Sequence, residues 1–243
     1  MSSSKFITVC VVILSVVGFF DHTTSVHGQQ VIVNGPQKLK ISFYISSLCK
    51  DTKRFLTEKF YPVYQELKEY LDVEFIPWGK ANRVEEGIVC QFGEADCKAN
   101  KIQSCALHLM GNDQERQVEY IACEFVNMFS TQGSYQCAEG AGLSTPLVQE
   151  CAELGLGDSL QRVAEQKTAT ITMIFVPTIV YSDHYDQRIQ DMAFTDFRKT
   201  TCAFLGAVCR PILCDFFLSR EFHIIWFRRG TYYILSSKIT YIF

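Results

Sequence analysis

No Asn-x-Ser/Thr triplet occurs anywhere in the 243 residues, so N-linked glycosylation is not expected. There is also no apolar run of the roughly twenty residues that span a bilayer. The run from Phe6 to Phe20 stops at about fifteen. Near the carboxyl end, Phe216-Phe217-Leu218, Ile224-Ile225-Trp226-Phe227 and Tyr232-Tyr233-Ile234-Leu235 are separated or followed by Arg220, Glu221, Arg228, Arg229 and Lys238. No transmembrane helix is therefore expected. Positive charge is not in excess: 23 Lys and Arg stand against 26 Asp and Glu, a formal charge of -3. That balance gives no reason to expect a nucleic-acid partner. Nothing in the sequence calls for a metal or a cofactor. One further absence is local. Three residues beyond Cys49, where a Cys-x-x-Cys site would hold its second thiol, stands Thr52.

What is present begins with a leader. Lys5 precedes the apolar run, and Val26-His27-Gly28 offers a small-residue cleavage site, so residues 1–28 read as a secretory signal peptide. The remainder has the length of one domain with an insertion. Eleven cysteines become ten once Cys10 leaves with the leader, and in a secreted chain these read mostly as disulfides. Parity sharpens this expectation. If Cys49 is a free thiol, the nine others (Cys90, Cys97, Cys105, Cys123, Cys137, Cys151, Cys202, Cys209 and Cys214) cannot all pair. Their connectivity stays open.

The chain is organised around residues 38–55. Ile41, Phe43 and Ile45 alternate with Ser42, Tyr44 and Ser46, as in a strand, and Cys49 follows at a strand-to-helix turn. Free N–H groups and the positive end of a helix dipole favour a thiolate there, which makes Cys49 a candidate attacking sulfur. The Thr52 hydroxyl can donate to that thiolate, and Lys50, Lys53 and Arg54 add positive potential against Asp51. A first attack on a disulfide is thus possible, whereas self-resolution by a second thiol is not.

Helical spacing continues from Lys50 to about Leu71, with an interruption expected at Pro62. Val73 to Gly79 reads as a second strand, completing a β-α-β unit with parallel strands. From about 81 to 166 the chain reads as a disulfide-stapled helical insertion, with helices around Leu107 to Phe129 and Pro146 to Gln166. A saposin-like unit is the alternative for this part, but its opening Cys-x-x-Cys pair is missing. Thr170 to Tyr181 returns to strand composition with Pro177 in mid-run, and Phe194 to about Leu205 reads as a closing helix.

The stretch Cys90-Gln91-Phe92-Gly93-Glu94-Ala95-Asp96-Cys97, continuing through Asn100 to Cys105, resembles the signature of the gamma-interferon-inducible lysosomal thiol reductase (GILT) family. Every spacing matches, with Phe92 where the family has His and Asp96 where it has Glu. Ser47-Leu48-Cys49, Val176-Pro177-Thr178-Ile179-Val180 and Asp196-Phe197 match further family segments, so the resemblance runs from about Lys38 to Cys214. It implies an α/β fold: a thioredoxin-like domain over residues 29–214, carrying the helical insertion, with 215–243 as a non-family extension. It further implies Cys49 as nucleophile and Pro177 as a cis-proline facing it, in a protein that reduces protein disulfides in acidic endosomes and lysosomes. Thr52 departs from the family's Cys-x-x-Cys pair.

Two functions follow as expectations. One is monothiol reduction or exchange through Cys49 on a disulfide-bonded protein substrate, with an external small thiol completing the cycle. The other is non-catalytic recognition of a protein or cell surface. The expected location is secreted, or endosomal and lysosomal.

Overall fold

The computed structural model describes residues 38–173, 175–206 and Cys214. The signal peptide, Cys209 and the extension from 215 lie outside the described residues.

Strand β1, Leu39–Ile45, is buried from Ile41 onward on both faces. It can be so because it is central: the sheet order is β2-β1-β5, with β2 at Leu71–Pro77 and β5 at Thr178–Tyr181. β1 and β2 are parallel, with Leu39 opposite Leu71 and Phe43 opposite Phe75, as the β-α-β reading requires. β5 runs antiparallel, with Phe43 opposite Ile179. The period of two puts Ile41, Phe43, Val73, Phe75, Ile179 and Tyr181 on one face. There Phe43 meets Phe60 edge-on at 4.6 Å and stacks on Phe75 at 5.7 Å. Tyr44, Ile76 and Val180 turn to the other face and pack with Trp78, Cys90 and Ala164.

The expected long first helix is divided. Helix α1, Lys50–Phe55, passes into a π-helical turn, Leu56–Phe60, and then into α2, Tyr61–Leu67. Pro62 sits in the first turn of α2 and has no N–H to give. The wider preceding turn relieves the clash its ring would otherwise make with the carbonyl four residues back. A short hairpin that the sequence reading did not anticipate follows β2: β3 at Asn82–Val84 and β4 at Gly87–Val89.

Five helices then precede β5. They are α3 (Glu94–Leu109), α4 (Gln114–Asn127), α5 (Gln136–Gly140), α6 (Thr145–Glu153) and α7 (Leu156–Ala169). The expected helix over 107–129 is two helices. Gly111 takes φ 60° and Asp113 caps α4 by accepting from Arg116 N at 3.1 Å. Likewise Gly155, at φ 94°, separates α6 from α7 within the stretch expected to be continuous from 146 to 166. The helices share the core with the sheet: Leu107, Met110, Val118, Ile121 and Phe125 belong to the same buried cluster as Phe43 and Phe75.

The expected strand over 170–181 is confined to β5, after a cis Val176-Pro177 bond. A proline has no N–H for a ladder, so pairing begins only beyond it. The closing helix expected from Phe194 is α9 at Phe197–Gly206; before it lies α8 at Gln187–Thr195, which the sequence did not lead one to expect, and the two are parted at Asp196, which accepts from Lys199 N at 2.9 Å. A parallel β-α-β pair, an antiparallel strand entered through a cis-proline, and helices on both sheet faces make the fold thioredoxin-like, with the helices between β2 and β5 as the added part. Among the described residues no helix is long and apolar enough to cross a membrane.

Candidate functional site

β1 ends at Ile45, and Ser46-Ser47-Leu48 turn the chain into α1. Cys49 is the N-cap residue of α1, with extended backbone. Its N–H donates to Ser46 O at 3.1 Å, and its carbonyl accepts from Lys53 N at 3.0 Å. Its thiol is free, 6 % exposed, and donates from Sγ to Val176 O at 3.4 Å. The carbonyl that Cys49 touches is therefore that of the residue joined to Pro177 by the cis bond. Thr52 lies in the first turn of α1. It is fully buried, and its Oγ1 has no hydrogen-bond partner. The structure thus brings together Cys49 and the loop of Pro177, 127 residues apart in sequence.

The cations expected to raise the local potential are partly committed elsewhere. Arg54 pairs with Asp51 at 3.1 Å, and Lys53 Nζ donates to Val126 O at 3.1 Å, at the carbonyl end of α4. Lys50 is exposed.

The signature residues lie in the loop before α3 and along that helix. Gly93 is at φ 85°, a left-handed region that L side chains rarely adopt, and it starts the helix. Gln91 and Phe92 are exposed in the loop ahead of it. Asp96 and Asn100 are one helical turn apart and both buried. Asp96 accepts from Ser46 Oγ at 2.9 and 2.7 Å on its two oxygens, and from Leu48 N at 3.0 Å. Asn100 Oδ1 accepts from Ser47 N at 3.0 Å and from Ser47 Oγ at 2.7 Å. One face of α3 therefore holds all three residues that precede Cys49. Gly79, at φ 62°, closes the other side of this turn, where an added Cβ would stand 2.6 Å from Ser46 Cβ.

Asn100 belongs to the signature, but its role as a brace, and that of Asp96, is not legible in the sequence: polar side chains four apart are a signal only on a helix, and the expected helix begins around Leu107.

The cysteines pair as Cys90–Cys97, Cys105–Cys151, Cys123–Cys137 and Cys202–Cys214. The first fastens the signature loop to α3, the second α3 to α6, the third α4 to α5. Among the described residues no cluster of His, Cys, Asp and Glu is arranged to hold a metal ion.

A cysteine at the end of a central strand, facing the carbonyl before a cis-proline, is equipped for thiol-disulfide exchange. Residues 40–141 match the family model described as gamma interferon inducible lysosomal thiol reductase (GILT). The gamma-interferon-inducible lysosomal thiol reductase-like protein of Anopheles gambiae is 27% identical over 198 residues, 74% of this chain and 81% of that protein. GILT-like protein 1 of Drosophila melanogaster is 29% identical over 200 residues, 73% of this chain and 79% of its own length. Among solved structures, a putative protein disulfide isomerase from Nitrosomonas europaea superposes with a TM-score of 0.47 at 11% identity, covering 62% of this chain and 87% of that one.

Proposed function

We propose, from the match of residues 40–141 to the GILT family model, that the protein is a monothiol member of that family, acting on protein disulfides through Cys49. The carrying observation is the free Cys49 thiol against Val176 O, with Thr52 filling the place of a second cysteine. The Cys49 thiolate attacks one sulfur of a substrate disulfide, forming the Cys49–substrate mixed disulfide and expelling the other substrate sulfur as a thiolate, which takes up a proton. With no internal thiol three residues on, an external small thiol attacks at Cys49, releases the substrate thiol and leaves its own mixed disulfide. A second small thiol restores Cys49 and departs as the oxidised small disulfide. Among the described residues Thr52 Oγ1 is buried without a hydrogen-bond partner, so the donation to Cys49 expected from the sequence is not made in this structure.

We read residues 1–28 as a cleaved leader and the destination as the extracellular space or the endosomal and lysosomal lumen. Four disulfides among the described residues support an oxidising route of maturation. A second reading, a non-catalytic binding protein, is favoured by the burial of Cys49 together with Thr52.

Reduction of a disulfide-bonded protein by the recombinant chain in excess small thiol, from acidic to neutral pH, tests the choice. The monothiol reading expects turnover that Cys49→Ala abolishes. It also expects Thr52→Cys to raise turnover at limiting small thiol by about tenfold, because resolution becomes intramolecular. No reduction by the wild type, or reduction undiminished in Cys49→Ala, overturns it in favour of binding.

A further inference from the structure

β1 and β2 run parallel, so both end at the side of the sheet that carries Cys49. Trp78 N donates to Ile45 O at 3.0 Å there, and the β3–β4 hairpin leaves β2 beside the same turn. The hairpin is fastened through one face. Arg83 and Ile88 stand opposite each other and share that face. The Arg83 guanidinium lies 5.9 Å from the centre of the Trp78 ring, and its Nε pairs with Glu165 at 2.7 Å. Ile88 packs on the cluster around Trp78, and Cys97 Sγ lies 3.4 Å from its carbonyl oxygen. The residue before Cys97 is Asp96, which holds Ser46 and Leu48 in the turn ahead of Cys49. Contacts therefore run without a break from the hairpin through α3 to Cys49.

The other face of the hairpin is apolar and open. Val84 is 43% exposed and Val89 57%, and Phe92, in the loop that follows β4, is 40% exposed. Large apolar side chains grouped on a surface in this way suit contact with another chain. Carboxylates frame them. Glu85 and Glu86 form the hairpin turn and Glu94 opens α3; all three are exposed. Among the described residues none of the three makes an ion pair. Lys98, one turn beyond Glu94, is directed elsewhere, its Nζ lying 3.3 Å from where a Cβ on Gly133 would stand. With Arg83 committed to Glu165, Lys80 is the remaining cation of residues 80–94, so the segment is left acidic. We infer that this face docks an extended segment of the disulfide-bonded substrate, one that carries apolar side chains together with Lys or Arg, while the substrate disulfide lies at Cys49. Opposite charge selects the segment and apolar contact holds it. Phe92 suits both, since it stands where the resembled signature has His, and a side chain that is cationic at acidic pH is replaced by an apolar one. That the docked chain is a substrate rests on the monothiol reading; that the face takes a basic, apolar segment does not.

Binding and turnover test this separately. Fluorescence anisotropy on the Cys49→Ala chain uses two labelled, alkylated peptides that share Leu, Val and Phe and differ in carrying either Arg or Glu. The Arg peptide is expected to bind about tenfold more tightly at low salt, by a margin that narrows as salt is added. The combined variant Glu85→Gln, Glu86→Gln, Glu94→Gln should remove the margin, and Val89→Ser with Phe92→Ser should weaken both peptides about fivefold or more. Binding of neither peptide, equal binding of both, a margin that survives the three glutamines, or affinities unchanged by the two serines overturns the inference. Turnover is read on the chain with Cys49 intact, with bis(2-hydroxyethyl) disulfide as a substrate too small to reach the hairpin. The surface variants are expected to reduce it as fast as the wild type while losing the preference between disulfide-linked forms of the two peptides. A variant that loses the small and the peptide disulfides equally places the effect at Cys49 and overturns the docking assignment. Failure of the wild type on the small disulfide, with the binding margin intact, overturns the monothiol reading and upholds the docking face.

Discussion

Ser47 loses the acceptor for both its N–H and its hydroxyl if Asn100 is shortened. Both groups are buried, so Asn100→Ala is expected to cost about 1–3 kcal/mol in a denaturant titration. It should also speed alkylation of Cys49, because the turn that holds the thiol against Val176 O is released. Asn100→Asp keeps Oδ1 as acceptor and should retain more of the alkylation protection than the alanine. The sequence made Cys49, Thr52 and Pro177 legible because chemistry and position name them: a thiol at a strand end, the missing second cysteine, a proline in a β run. It did not disclose Asp96 and Asn100 as braces. Their partners, Ser46 and Ser47, are ordinary small polar residues whose importance appears only once α3 lies beside the β1–α1 turn. Gly79 was equally silent, since its need for φ 62° and its closeness to Ser46 are tertiary facts.

Among the helices, α4 carries a buried carboxylate whose charge the fold resists. Glu124 is almost wholly enclosed, and burial pushes its carboxyl above the usual carboxylate range, opposed by hydrogen bonds from Ser130. Its Oε2 accepts from Ser130 N at 3.0 Å, while Oε1 has no partner. A raised value in the fold means that the protonated form is favoured there. The contribution to stability is therefore fully present below the ordinary value of 4.5, is lost as pH rises through the folded value, and stays lost at neutrality. Glu124→Gln keeps an oxygen for Ser130 N and removes the charge. It is expected to raise the melting temperature at neutral pH and to have little effect near pH 4; equal shifts at both would refute the assignment.

Elements were legible where periodicity is strong: β1, β2 and the strand after Pro177 were all placed near their observed positions. The breaks were not. Gly111 and Gly155 divide helices that side-chain spacing alone makes continuous, because apolar periodicity runs through a turn that keeps both helices on the same core. The β3–β4 hairpin was missed for a different reason, its strands being only three residues each.

Across the whole molecule, the sheet and the added helices share one buried cluster, and the disulfides divide their labour by loop length. Cys105–Cys151 closes a separation of 46 residues and Cys90–Cys97 one of 7. Constraint of the unfolded chain predicts that replacing the first pair by alanines costs about 4 kcal/mol and the second about 2 kcal/mol, a ranking that paired denaturant titrations will check. That the cysteines were structural was readable from their number. Which ones pair was not, because pairing depends on helix packing that no spacing encodes.

The brace on the β1–α1 turn also has a history in time. Asp96 and Asn100 lie 50 and 53 residues downstream of the serines they hold. At about 5–20 residues per second, a ribosome needs several seconds to supply them. Cys49 is the first of the described cysteines to be made, and it is the one that stays unpaired. The interval in which a neighbouring sulfur can capture it is therefore set by the pace of elongation, before the finished fold encloses it.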